Sequence, residues 1–298
     1  MMNSICSKEL ELEKCRSAVE QRLSGYFLCA KEPGYAKLLE SMRYSLLAGG
    51  KRIRAVICIK FCEAVGGAPE MAMEAACAIE MLHAYSLIHD DLPCMDDDDM
   101  RRGKPSNHIK FGEFTATLAG DALQAAAFET LLGSALPPGK VIKMARILAE
   151  AAGPRGICGG QYLDLSGDSG LRSLGDIANM YELKTGALIS ASARIGVVAG
   201  GGTAEQVDAA GKYARKLAYA FQIRDDVLDC TASDEVLGKP VGSDRDNNKM
   251  TFASALPLKI CGDLIESLTS EAIGALGGKF GESGFLEWLA SCLAERKY

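Results

Sequence analysis

The sequence has no run of eighteen uncharged apolar residues, so it offers no segment able to cross a membrane as a helix. It has no Cys-x-x-Cys pair either. Its eleven cysteines are dispersed through apolar stretches, which fits reduced thiols in a cytoplasmic protein better than a disulfide scaffold. The opening "MMNSICSKELELEKC" is too charged for the apolar region of a signal peptide, and secretion is not expected. Basic residues number 33 against 39 acidic ones and are scattered, so the footprint of a nucleic-acid partner is missing. Strand-like alternation, a repeat of fixed period and a linker long enough to divide the chain are missing too. These absences leave one all-helical domain over residues 1–298, with 48% hydrophobic residues to fill a large core.

The apolar residues that are present recur at helical spacing. "MAMEAACAIEMLHAYSLIH" (71–89) is rich in Ala, Met and Leu without strict alternation and reads as a buried helix. Similar stretches cover roughly 7–28 (an N-terminal helix within 1–30), 35–47, 52–65, 112–133, 139–152, 174–199, 204–229, 252–276 and 283–296, about ten helices in all. Pro33-Gly34, Gly66-Gly67-Ala68-Pro69, Pro137-Pro138-Gly139 and Gly200-Gly201-Gly202 separate them. Thr203 and Gln206 have the spacing of a capping box.

Acidic residues are concentrated in two places. "HDDLPCMDDDDMRRGKP" (89–105) carries Asp90, Asp91 and Asp96 to Asp99, then Arg101, Arg102 and Lys104. Pro93 ends the helix just after the first pair, as at a helix end opening onto a cleft. Alone, Asp96 to Asp99 read as a solvated face. A second cluster, "FQIRDDVLD" (221–229), changes that reading: in a helix Asp225 and Asp226 lie four and three residues before Asp229, so the carboxylates converge against an apolar neighbourhood. Such groups need a cation, and oxygen-only ligands suit a hard divalent ion such as Mg²⁺, which bridges carboxylates to substrate phosphates.

The basic residues complement this. "LAGGKRIRAV" (47–56) sets Lys51, Arg52 and Arg54 at a helix start, an arrangement suited to an anion. "YELKTGAL" (181–188) and "LGKPVGSDRDNNKMT" (237–251) add further lysines.

"GGKRIR", "DDLPCMDDDDMRRGKP", "GGQYLDL", "KTGAL" and "FQIRDDVLD" together resemble, in order and spacing, the trans-prenyl diphosphate synthases of isoprenoid biosynthesis, most of all bacterial farnesyl diphosphate synthases. The resemblance runs from about Tyr35 to the C-terminus. It implies an isoprenoid-synthase-type bundle of ten or more helices around a deep central cavity, in a homodimer. It also implies a reaction. An allylic diphosphate (dimethylallyl or geranyl), held through Mg²⁺ by Asp90, Asp96 and Asp225, loses diphosphate, and isopentenyl diphosphate attacks the resulting allylic cation. Three Mg²⁺ ions per site are implied, with Mn²⁺ as a substitute, and Asp91, Asp226 and Asp229 belong to the metal site or its surroundings.

Carried over by the same resemblance, Arg101, Lys184 and Lys239 grip the allylic diphosphate, with Thr185 and Gln222 beside them and Lys249 in a variant loop. Gly50, Lys51, Arg54, His83 and Arg102 form the isopentenyl diphosphate site, with Phe221 near the hydrocarbon. Taken singly, Lys184 also reads as an exposed helix lysine and His83 as a core histidine. Two departures stand out: Ala55 replaces a common proline, and Arg224 a frequent glutamine. A class I terpene cyclase is a weaker match, since that group pairs one aspartate motif with an Asn/Ser/Glu site. A non-catalytic regulatory subunit should show gaps in one motif, and both are intact.

Product length points to Tyr85 and Ser86. Ser86 lies four residues before Asp90 on nearly the same helical face and Tyr85 five before, about 6–8 Å below the carboxylates. An aromatic ring there acts as a floor in the resembled farnesyl synthases, so a fifteen-carbon product is expected, with geranyl or geranylgeranyl diphosphate as alternatives. Simple packing between helices is the other reading of Tyr85.

Overall fold

A computed structural model describes residues 2–28, 34–166, 173–231 and 251–296, with side chains from Ser7 onward. In chain order the elements are α1 (Met2–Ser24), α2 (Ala36–Leu46), α3 (Ile53–Ala64), α4 (Glu70–Asp90), β1 (Met100–Arg101), β2 (Lys104–Pro105), α5 (Asn107–Phe111), α6 (Glu113–Leu132), α7 (Pro138–Ala152) and α8 (Ile157–Leu165). Then come α9 (Leu174–Tyr181), a π-helical segment (Glu182–Gly186), α10 (Ala187–Gly200), α11 (Ala204–Thr231), α12 (Phe252–Ala255), α13 (Leu258–Leu276) and α14 (Gly284–Glu295).

The architecture is all-α, and α4 is its axis. Ala72, Ala75, Ala76, Ala78, Ile79, Met81 and Leu82 are buried on every side of it, as a helix without a polar face requires. Its alanines let α3, α6 and α10 approach closely, and α10 in turn packs on α3, α7 and α11. A smaller apolar cluster of Ile177, Met180, Tyr181, Ile223, Phe252 and Ile265 joins α9, α11, α12 and α13.

Helix starts and stops follow local chemistry. The backbone N–H of Thr203 donates to Gln206 Oε1 and that of Gln206 to Thr203 Oγ1, the reciprocal cap expected from their spacing. Where one helix was expected over 252–276 there are two, because Pro257 pushes Leu256 into extended backbone (φ −128°, ψ 151°). Residues 157–165 form a helix outside the stretches expected to be helical, with the poor helix formers Gly159 and Gly160 inside it. The expected helix over 174–199 carries the π segment. The one strand pair among the described residues is two residues long on each side, too short for alternation to reveal.

Candidate active site

Helix α4 delivers Asp90 at its last position, and the chain then folds back so that the N–H of Asp96 donates to the carbonyl of Asp90 at 2.9 Å. The hairpin β1–β2 follows. Its two turn residues, Arg102 (φ 54°) and Gly103 (φ 72°), both adopt positive φ, the geometry whose twist suits a two-residue hairpin and favours glycine second. This turn aims Arg102 at the "GGKRIR" segment. Its guanidinium donates to the Gly49 carbonyl and lies 3.0 Å from where a side chain on Gly50 would begin, so only glycine fits there.

Asp90 is met from two sides. Gln161 Nε2 of α8 donates to its Oδ1, Lys184 Nζ stands 3.5 Å away, and Arg101 Nη2 is 4.0 Å from Oδ2. Burial pushes the Asp90 carboxyl upward and Lys184 opposes it, while Asp96 adds repulsion. Lys184 also pairs with Asp164 Oδ2 at 2.6 Å. The lysine sits in the π segment, and Gly160 makes room for it: a side chain there would begin 2.1 Å from the Lys184 backbone nitrogen. Asp91 is buried and turned to Arg101, whose Nε is 2.8 Å from its Oδ1; Arg101 also meets Asp98 at 3.2 Å. The structure thus gives Asp91 to an arginine, and Arg101 is already held by two carboxylates.

The second cluster divides as well. Asp225 is half-buried, and one of its oxygens accepts from Arg296 Nη2. Asp229, one turn on, is half-buried too. Asp226, instead of converging with them, is buried in the smaller apolar cluster, where its Oδ2 accepts from Tyr181 Oη at 2.7 Å and from the Phe252 N–H at 3.1 Å. Thr185 Oγ1 donates to Gln222 Oε1 at 3.2 Å.

Two cavities lie between these groups. One, of about 440 Å³, is lined along α4 by Asp90, His89, Ser86 and Tyr85, and opposite by Cys158, Gln161, Lys184 and Thr185. The other, of about 190 Å³, is lined by Lys51, Arg54, Arg102, Arg296 and Phe221 among others. Arg54 and His83 border both. Arg54 Nε is buried with no hydrogen-bond partner among the described residues, a donor available to a ligand. Burial, then the charges of Arg54 and Arg102, hold the His83 imidazole well below its ordinary range, so it is neutral at pH 7. Arg52 also borders the smaller cavity, but its guanidinium is taken. It is buried against Glu20 at 2.7 Å and Glu80 at 3.1 Å, so one of the three cations at the start of α3 braces the fold.

Lys239 and Lys249 lie outside the described residues. Gln161 and Asp164 were legible only as a motif of undecided role; three apart on α8, they reach Asp90 and Lys184 from one face. Arg296 carried no periodic signal.

The carboxylates fit a hard divalent cation by donor chemistry. Asp90 is a half-buried acid crowded by Asp96, and a cation there would offset both the lost hydration and the repulsion. Among the described residues no three acidic, His or Cys side chains already converge into a cage. That suits an ion that takes one or two carboxylates and completes its shell with water and substrate oxygens.

Comparison with known proteins agrees with the geometry. Residues 35–273 match the sequence profile of polyprenyl synthetase. The chain is 44% identical over 255 residues to the farnesyl diphosphate synthase of Geobacillus stearothermophilus, covering 85% of each. It is 46% identical over 252 residues to the large subunit 1 of a chloroplastic heterodimeric geranylgeranyl pyrophosphate synthase of Arabidopsis thaliana, covering 81% of this chain and 67% of that one. Its fold superposes on geranylgeranyl pyrophosphate synthetase of Pyrococcus horikoshii with a TM-score of 0.88, at 32% identity over 97% of this chain and 98% of that one. With Asp90 and Lys184 on one cavity, Arg54 and Arg102 on the cavity adjoining it, and with these relatives, the chain belongs to the polyprenyl synthetase family and is a prenyltransferase.

Proposed function

We propose that the chain, acting as one unit over 1–298, joins isopentenyl diphosphate head-to-tail to dimethylallyl and then geranyl diphosphate, with farnesyl diphosphate as its main product. The observation that carries the reading is the pair of cavities meeting at Arg54 and His83. The larger takes the allylic substrate, its diphosphate toward Asp90, Lys184 and Thr185 and its hydrocarbon along Ser86 toward Tyr85. The smaller takes isopentenyl diphosphate among Lys51, Arg54 and Arg102, with Phe221 against the hydrocarbon.

Bound Mg²⁺, held by Asp90 and Asp96 on one side and Asp225 and Asp229 on the other, supplies positive charge to the departing diphosphate. Lys184, tied to Asp164, stays beside Asp90 and stabilises the charge that develops as the allylic carbon–oxygen bond breaks. Arg54, beside a neutral His83, holds the second diphosphate so that the isopentenyl double bond faces the allylic carbon. The π pair forms the new carbon–carbon bond, and the proton released in closing the double bond passes to the diphosphate just expelled.

Both farnesyl and geranylgeranyl synthases stand among the relatives, so kinship leaves the product open. The buried Tyr85 ring favours fifteen carbons. Exposed Phe114 and Leu118, one turn apart on α6, support a homodimer. Free cysteines and the lack of a membrane-length apolar helix among the described residues support the cytoplasm. Incubation with isopentenyl diphosphate, each primer and Mg²⁺, followed by product sizing, tests the proposal; no product from any primer would sink it.

A further inference from the structure

Arg224 stands where the resembled enzymes frequently carry glutamine, and the reaction above makes no use of it. Its Nε and Nη2 donate to the backbone carbonyl of Arg296 at 2.9 and 2.7 Å. A residue inside the second aspartate motif thereby pins the far end of the chain. The pin fixes where the Arg296 side chain goes: its guanidinium lies 3.8 Å over the Phe221 ring, and its Nη2 donates to Asp225. The Arg296 side chain is largely buried, at 14% exposure against 40% for Asp225, and its Nε is buried without a partner among the described residues. A guanidinium this far from solvent requires a carboxylate partner, and Asp225 supplies it. Asp225 has the converse need, because Asp229 shares its helical face one turn away.

We infer that Arg296, pinned by Arg224, is the built-in counter-cation of the second aspartate motif, holding Asp225 in the metal-free protein and giving way when a divalent cation binds. The inference rests on the metal reading of Asp225. It makes Arg296 a positioning residue: it keeps Asp225 aimed, and it competes with metal that arrives without substrate.

The test uses Mn²⁺ alone, followed by its paramagnetic resonance signal, together with melting in chelator. Wild type, Arg296→Gln, Arg296→Lys, Arg224→Gln and Asp225→Asn are compared. Arg296→Gln is expected to bind Mn²⁺ about fivefold more tightly, the scale of a half-exposed ion pair, and to melt lower in chelator. Arg224→Gln should make the same two changes to a smaller degree and add little to Arg296→Gln, while Arg296→Lys stays near wild type. Opposite signs are the signature, since a residue that only braced the fold would lower melting without tightening metal. Should Arg296→Gln not fold, Arg224→Gln carries the test, because it restores the residue frequent in relatives. Unchanged or weaker Mn²⁺ binding in these variants, with Asp225→Asn clearly weakened, overturns the counter-cation and leaves the metal reading standing. Unchanged binding in Asp225→Asn overturns the metal reading and the counter-cation with it.

Discussion

Arg54 and His83 stand on the wall shared by the two cavities, with Nη1 of the arginine 3.4 Å from Nε2 of the imidazole. A guanidinium can only donate, so Nε2 is the acceptor and the imidazole proton sits on Nδ1. A charged His83 would face Arg54 and Arg102 at once. The folded protein therefore keeps His83 neutral well below the ordinary 6.5, whereas the unfolded chain takes up its proton near that value. Stability from this group is present above about pH 6.5 and falls as pH drops, by at most about 1.4 kcal/mol per unit, less for a half-buried ring. Melting at pH 7.5, 6.5 and 5.5 should show a fall in wild type that is shallower in His83→Gln; parallel profiles would contradict the assignment.

Under the proposed function the same wall divides the substrates. Arg54→Ala should raise KM for isopentenyl diphosphate and Lys184→Ala that for the allylic partner, each by the loss of a charge-assisted contact worth about 1.5–3 kcal/mol. Steady-state kinetics with each substrate varied in turn decides it. Equal effects on both would erase the division.

The aspartates should separate by role. Asp90→Ala removes a half-buried carboxylate crowded by Asp96 and is expected to cut activity at least about 100-fold with the helical circular dichroism intact. Chelator should do likewise, reversibly on adding Mg²⁺. Asp226→Ala leaves the Tyr181 hydroxyl and the Phe252 N–H without their partner, a loss of about 1–3 kcal/mol for each, and should lower the melting temperature. An Asp226→Ala protein as stable as wild type would argue that its carboxylate serves the site instead.

Gly160 tests how the site is braced. A methyl group there would begin 2.1 Å from the Lys184 nitrogen, backbone that cannot swing aside, so Gly160→Ala must push α8 from the π segment. Loss of about 1–3 kcal/mol on chemical denaturation is expected, with weakened allylic binding as Lys184 shifts. Neither change would mean that the two elements are free to part.

Much of this was written in spacing. Composition marked α4 and α10, because a helix buried on nearly all sides cannot hide it, the apolar period marked α11, and Thr203 with Gln206 announced the start of α11. The motifs brought Asp90, Lys184, Arg54 and Arg102 to two adjoining cavities. What spacing could not supply was direction. Asp225 and Asp226 are neighbours in sequence and face different surroundings, one toward Arg296 and one toward Tyr181, since adjacent residues on a helix diverge by about 100°. Arg52 and Arg54 part in the same way: Arg52 turns into the core toward Glu20 and Glu80, a choice set by partners far away in sequence.

In the proposed function, product length rests on Tyr85. Its ring is buried on α4 beside the larger cavity, edge-on to His89 at 5.3 Å between centroids, with Oη 3.3 Å from Cys158 Sγ of α8. Helix α4 is thus bridged to α8 at the level where a growing chain leaves Ser86 behind. His89 accepts no slack from the other side, for it contacts the Thr117 carbonyl at 2.9 Å and a side chain on Gly120 would meet its ring. The ring is therefore fixed by contacts on two helices, and under the proposed function a chain of fifteen carbons would meet it with nowhere to push it. Tyr85→Ala removes the ring while α6 and α8 stay pinned by their own packing, so the space is only partly refilled and the cavity deepens. Products of the folded, active Tyr85→Ala enzyme should shift toward twenty carbons or more on chromatography after dephosphorylation. Tyr85→Phe, which keeps the ring and loses only the hydroxyl with its contacts to Cys158 and Gln124, should stay near fifteen. A fifteen-carbon product from Tyr85→Ala would show that the floor lies elsewhere.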